Sequence, residues 1–239
     1  QRVGLFVLPL MIVFILGTGQ RGGFVMFVLM FMVALLYLYK IYGDKGYMKT
    51  LVVIGVVSFA LFTMMTIFNG RVGSDGSVLQ AVLKRIFDDN QECAVIAFRY
   101  INNQEIQFGR DWWLSFKDIL PGKNSYVQLS YVIFKVIYGN TRGTAPPCIW
   151  GSAYYNFGML GIVVMPFVMG FFYHKVYYKF CTRPITKLRI FLYSAKFVVL
   201  GNWIADTPLV LFNQGFITLC LMSFVLNIDR RIKFTNRKK

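Results

Sequence analysis

Apolar runs long enough to cross a bilayer constrain this chain more than anything else in it. A hydrocarbon core of ~30 Å requires about 17–25 predominantly apolar residues of a helix. Six stretches meet or approach that pattern: Val3–Leu16, Phe24–Tyr42, Thr50–Phe68, Phe157–Tyr178, Leu188–Ile204 and Pro208–Ile228. Charged residues make up only 15% of the chain, well below the ~25% of soluble domains. The fold class expected is therefore all-α, a polytopic transmembrane helix bundle. Val3–Leu16 is short and the chain opens on Gln1, so the expectation is the C-terminal part of a longer membrane protein, cut within a span. Nothing resembles a secretory signal with a small-residue cleavage site.

Charge placement sets the expected topology. The net charge is +16, but its clusters are local. Lys40, Lys45 and Lys49 flank one connection, and Lys175, Lys179, Arg183, Lys187 and Arg189 flank another. Arg230, Arg231, Lys233, Arg237, Lys238 and Lys239 crowd the tail. All three fall on one side of a six-span arrangement, and basic residues near helix ends mark the cytoplasmic face. Nucleic acid is excluded as a partner, because no basic stripe on a folded domain is present; a lipid bilayer is the partner expected. Alternation then divides the chain into 1–68 (three spans with an outer turn at 17–23), a large extracytoplasmic helical loop at 69–156, three further spans at 157–228 and a basic cytoplasmic tail at 229–239. Nine basic residues in the long loop do not overturn this orientation, since long loops translocate largely regardless of charge.

Inside the loop, Leu79, Val82, Leu83, Ile86 and Phe87 form one apolar helical stripe, with Ser77 placed to cap it and Asp88-Asp89-Asn90 ending it. Glu92–Ile101 reads as a second helix. Trp112 and Trp113 sit together in the pattern of interfacial aromatics. Pro121-Gly122 is a turn, and Tyr126–Tyr138 is an apolar, tyrosine-rich stretch too short to be a clear span.

The chemistry available to the loop is narrow. The only histidine is His174, near the cytoplasmic end of a span, so histidine-based nucleophilic sites are excluded from the outer face. Histidine clusters and paired CxxC motifs are missing, so neither a metal nor a cofactor is expected. Cys93 and Cys148 both face outward in this topology; they form either a disulfide or two unrelated thiols. Arg21, Arg99, Arg110 and Arg142 offer planar, permanently charged forks suited to phosphate or pyrophosphate. Arg21 lies in Gly17-Thr18-Gly19-Gln20-Arg21-Gly22-Gly23, a glycine-rich turn in which backbone N–H groups can converge on an anion. Its alternative is an arginine that snorkels to headgroups. Asp88, Asp89, Glu92, Glu105 and Asp111 are the candidate general bases, with a solvated surface charge as the alternative for each. Lys196, within a span, either pairs with a buried acceptor or sits at a bend.

The run Ala145-Pro146-Pro147-Cys148-Ile149-Trp150-Gly151-Ser152-Ala153-Tyr154-Tyr155-Asn156-Phe157-Gly158 leads into an apolar span. It resembles the segment after the large periplasmic loop of Wzy-type polymerases, which join oligosaccharide repeat units of O-antigens and capsules. Gly151, Tyr154, Asn156, Phe157 and Gly158 fit that family's Gly-Glu-x-Tyr-x-Asn-Phe-Gly-like run, while Ser152 stands where the glutamate often is. Gly19-Gln20-Arg21-Gly22 is similar to an arginine turn carried earlier in those chains. An Arg-x10-Gly spacing typical of some members is not met from Arg99 or Arg110.

The resemblance implies a GT-C-like polymerase architecture in the bacterial cytoplasmic (inner) membrane. It also implies undecaprenyl-pyrophosphate-linked glycans as substrates and a chain-length regulator protein as a further partner. On that footing Asp88, Asp89, Glu92 and Asp111 are the catalytic candidates. Arg21, Arg99, Arg110, Arg142, Tyr154 and Asn156 are the substrate-binding ones. Tyr126, Tyr131, Trp112, Trp113 and Trp150 offer flat faces for sugar rings and lipid. The rivals are an O-antigen ligase, expected to use a loop histidine that this chain lacks, and a glycan transporter or flippase, expected to carry polar or broken helices at mid-membrane.

Overall fold

A computed structural model of the chain describes residues 21–68, 77, 80, 83, 89–117, 126–140 and 143–236. Among the described residues every regular element is helical. In chain order they are α1 (Arg21–Tyr42), α2 (Lys45–Phe68), α3 (Asp89–Ile101), α4 (Arg110–Lys117), α5 (Leu129–Tyr138), α6 (Cys148–Cys181), α7 (Lys187–Trp203), α8 (Val210–Asn213) and α9 (Phe216–Asn236). Three stretches are long and apolar enough to cross a membrane: Gly22–Tyr42, Lys45–Met64 and Cys148–Cys181. They mark a helical membrane protein.

Not every expected span reaches that standard. Val3–Leu16 lies outside the described residues. α7 matches Leu188–Ile204 but is 17 residues long and carries Lys187, Arg189 and Lys196. The expected span Pro208–Ile228 is interrupted: α8 ends at Asn213, Gly215 takes a left-handed φ of 79°, and α9 begins only at Phe216. Arg21, expected in a turn, is already helical at the start of α1. Ser77 caps as its spacing predicts, with Oγ accepting the Gln80 N–H at 3.2 Å.

The chain divides into two compact units, 1–82 with 184–198, and 83–183 with 199–239. The first is built on the α1–α2 hairpin. Asp44 closes its turn by accepting the Gly46 N–H at 2.8 Å, satisfying one orphan donor of the next helix. Phe31 meets Phe191 edge-on at 5.7 Å, and Tyr37 meets Tyr193 at 5.3 Å. Ala34, Leu35, Leu38 and Ile190 fill the space between. By contrast α2 exposes Val52, Val53, Val56, Val57 and Phe59, an apolar surface that only lipid or another protein can cover.

The second unit holds most of the polar chemistry. Ala97, Ile101, Leu129, Ile133 and Ala145 form a small core that clasps α3 to α5, and Tyr154 and Tyr155 pack on it from α6. Burying an Ile or Leu in such a core contributes about 1.5–3 kcal/mol.

α6 is really two helical limbs. Gly158 sits at φ 60°, ψ −147° within it, a backbone conformation almost restricted to glycine. The limbs approach so closely that a Cβ on Gly161 would lie 2.3 Å from the Ala153 carbonyl oxygen. At 1.5 Å per residue the second limb, 159–181, is about 34 Å long, close to the ~30 Å of a hydrocarbon core. From Met159 to Phe171 its outward large side chains, Met159, Leu160, Val163, Val164, Phe167 and Phe171, are apolar, and exposed His174, Lys175 and Lys179 follow.

Gly158→Ala and Gly161→Ala should each lower the thermal midpoint in detergent by the equivalent of roughly 1–3 kcal/mol. Gly170→Ala, where a Cβ meets nothing within 4 Å, should leave it unchanged or raise it. Equal effects at all three positions would show that the break is not built on these glycines.

Candidate functional site

The break in α6 frees backbone groups and aims a side chain. The Tyr155 carbonyl, just before the break, accepts the Gln107 N–H at 3.0 Å. One residue on, the Asn156 side chain is completely buried and meets α4. Its Nδ2 donates to the Ser152 carbonyl at 2.9 Å and to Asp111 Oδ2 at 3.4 Å.

α4 packs with its polar side inward. Asp111 and Ser115, one turn apart, are buried, whereas Trp113 is exposed. Trp112 donates its indole N–H to Ser152 Oγ at 2.7 Å and meets Phe157 edge-on at 5.1 Å. The two adjacent indoles thus diverge: Trp112 is a structural strut and only Trp113 faces outward. Phe116 continues the packing against Phe212 at 4.8 Å.

Asp111 is the centre of the arrangement. Its Oδ1 accepts the Tyr126 hydroxyl at 2.7 Å, Oδ2 faces Asn156, and the Leu129 backbone N–H donates to it as well. Leu129 opens α5, whose N-cap Gln128 supplies no side-chain capping bond, so Asp111 acts as a cap delivered from another helix. Burial nevertheless outweighs these donors. The carboxyl is pushed above its ordinary value of 3.8 by loss of water, with Tyr126, Asn156 and Leu129 pulling the other way. Burial and the Asp111 bond likewise hold the Tyr126 phenol protonated, while Arg110 opposes the shift.

One acceptor here is left over. Nδ2 of Asn156 faces two acceptors, the Ser152 carbonyl and the Asp111 carboxyl, so the amide cannot be turned round. Among the described residues Oδ1 is then a buried oxygen without a hydrogen-bond partner, which costs about 1–3 kcal/mol.

The other expected site residues scatter. Glu92, Arg99 and Arg110 are exposed. Tyr154 is half-buried and bonds Asn102 Oδ1 at 3.5 Å, away from Asp111. Asp88 and Arg142 lie outside the described residues, as do the side chains of Arg21 and Asp89. The structure therefore brings together Asp111 and Asn156 and adds Tyr126 and Ser152 to them. Asp206 was missed by sequence reasoning. Burial raises its carboxyl, and the adjacent Thr207 N–H, which donates to Oδ1 at 2.7 Å, opposes that rise. No spacing or motif marked it. Cys93 and Cys148 are half-buried and are not joined in a disulfide. Among the described residues no group of three or more His, Cys, Asp or Glu side chains could hold a metal ion.

No protein-family model, curated protein or solved structure matches the chain.

Asp111 makes stability depend on pH in a defined direction. Its folded value lies above the unfolded one, so its contribution is fully present below 3.8 and is lost as pH rises through the folded value. Relative to Asp111→Asn, the wild-type thermal midpoint should fall as pH rises above 3.8 and through the raised folded value. A pH-independent difference between the two would show that Asp111 titrates as an ordinary surface acid.

Proposed function

We propose that this chain is a glycosyltransferase of the bacterial cytoplasmic membrane. It joins undecaprenyl-pyrophosphate-linked repeat units into a surface polysaccharide, an O-antigen or capsule. The observation that carries this reading is the pairing of Asn156 with Asp111. Asn156 comes from the run that resembles the polymerases, and Asp111 is a buried carboxyl with raised proton affinity. A hydroxyl nucleophile needs such a group, because a base works best when its pKa approaches the working pH.

In the reaction, a hydroxyl of one repeat unit attacks the anomeric carbon of another. The new glycosidic bond forms, the bond from that carbon to the pyrophosphate breaks, and undecaprenyl pyrophosphate departs. The hydroxyl proton passes to Asp111. Asp111 is buried and Tyr126 only half-buried, so the proton travels through the Tyr126 hydroxyl, which loses its own proton to Asp111 as it takes up that of the substrate. Arg110, exposed beside Asp111, and Arg99 are the described cations available to the pyrophosphate, and Arg21 and Arg142 complete the set. This chemistry belongs on the extracytoplasmic side, where the loop 69–156 is placed by the charge pattern.

A second reading rests on the Leu129 N–H: Asp111 is a structural cap of α5 with no part in transfer. The two separate in a deletion strain complemented with variants, with surface glycan resolved on a gel and protein level checked. Asp111→Asn and Tyr126→Phe should collapse long chains to single repeat units, reflecting a loss of roughly 10²–10⁴-fold in rate. Glu92→Gln should leave the ladder intact. A full ladder with Asp111→Asn, combined with a lowered thermal midpoint, would establish the structural cap. An unchanged ladder in the deletion strain itself would reject the polymerase and favour transport of a lipid-linked glycan.

A further inference from the structure

Phe108 and Trp113 stand on an exposed edge and take no part in the transfer reaction. Phe108 is 84% exposed, the highest value among the large apolar side chains described, and it holds a left-handed φ of 49°. A bulky aromatic seldom adopts that backbone. Trp113 is 59% exposed, on the side of α4 opposite the buried Asp111 and Ser115. Its ring carries the Lys117 ammonium at 5.5 Å and stacks on Phe116 at 6.3 Å.

This edge is fastened to the break in α6. The Gln107 N–H holds the Tyr155 carbonyl at 3.0 Å. On either side of Phe108, a Cβ on Gly158 would meet Ile106 at 3.0 Å and one on Gly109 would meet Phe157 at 3.1 Å. Phe108 is therefore fixed at the level where the second limb of α6 begins. That limb turns apolar residues outward from Met159 onward, has the length of a hydrocarbon core, and bears Lys175 and Lys179 towards its other end. One membrane boundary consequently falls at Gly158, beside Phe108.

We propose that Phe108 and Trp113 form a membrane-interface anchor, seated in the headgroup region of a phospholipid bilayer at the level of Gly158. Aromatic rings favour that zone because an apolar body and a polar edge are both satisfied there. Lys117, exposed beside Trp113, is placed to reach lipid phosphates. The anchor fixes the height of α4, and with it Asp111, above the hydrocarbon. It does not depend on which reaction the site performs.

The test uses the full chain with the exposed Cys181 and Cys220 replaced by serine. Phe108→Cys, Trp113→Cys and Glu92→Cys variants are spin-labelled separately, with the parent as background. Each is reconstituted in phosphatidylcholine–phosphatidylglycerol vesicles, and relaxation by oxygen is compared with relaxation by a water-soluble nickel chelate. The oxygen-to-nickel ratio should be several-fold higher at 108 and 113 than at 92. Nickel access at 108 and 113 equal to that at 92 would place the edge in water and overturn the proposal. Exclusion of both reagents, with dipolar broadening that grows with protein-to-lipid ratio, would overturn it in favour of a second copy of the chain. Two labelled positions keep the outcome readable if one variant misfolds.

Discussion

The break at Gly158 is the constraint on which the second unit depends. A straight helix from Cys148 to Cys181 would use the Tyr155 carbonyl internally and leave Gln107 without that acceptor. Turning the chain at one residue opens that carbonyl, and the Gln107 N–H closes it. The same turn brings Gly161 against Ala153, where no side chain fits. A polar limb carrying Ser152 and Asn156 is thereby joined to a limb long and apolar enough to cross a membrane. Neither could change places with the other: Asn156 in hydrocarbon would lack partners, and Leu160 or Phe167 in a polar shell would lose the benefit of burial.

Asp111 shows how competing terms settle at such a junction. Three donors converge on it, and in a solvated setting they would lower its proton affinity. Removal of water prevails because the carboxyl has almost no exposed surface. A group in that position is held in place by its neighbours yet easier to protonate than an ordinary aspartate. Structural capping of α5 and proton uptake are compatible demands, since both require a carboxyl fixed by hydrogen bonds and shielded from solvent. The unpartnered oxygen of Asn156 belongs to the same compromise. Its nitrogen is committed to two acceptors, so its oxygen is stranded.

Much of the helical layout was legible because it rests on local pattern. The apolar runs of α1 and α2, the helix over Glu92–Ile101 and the Ser77 cap all follow from periodicity and capping chemistry within one or two turns. The long-range features were not. Nothing near Asp111 in sequence separates it from Glu92; only packing against Asn156, 45 residues away, does so. Trp112 and Trp113 look alike as neighbours, yet the ~100° between successive helical positions sends one inward and the other out. The interruption at Gly215 was hidden in a run whose composition alone suited a span. Asp206 gave no signal, because burial of a loop carboxyl depends on what folds over it.

Phe108 belongs with these context-dependent positions, and its strain indicates what the surroundings must supply. A left-handed phenylalanine costs of order 1–3 kcal/mol wherever it occurs, and Asn or Gly would hold the same backbone with less strain. Within the second unit its ring gains little, since most of its surface is uncovered. The backbone is held by its fastening to α6, through the Gln107 N–H on the Tyr155 carbonyl and Gly109 against Phe157. The uncovered ring is left to the medium outside the chain, which the proposed anchor takes to be the bilayer interface.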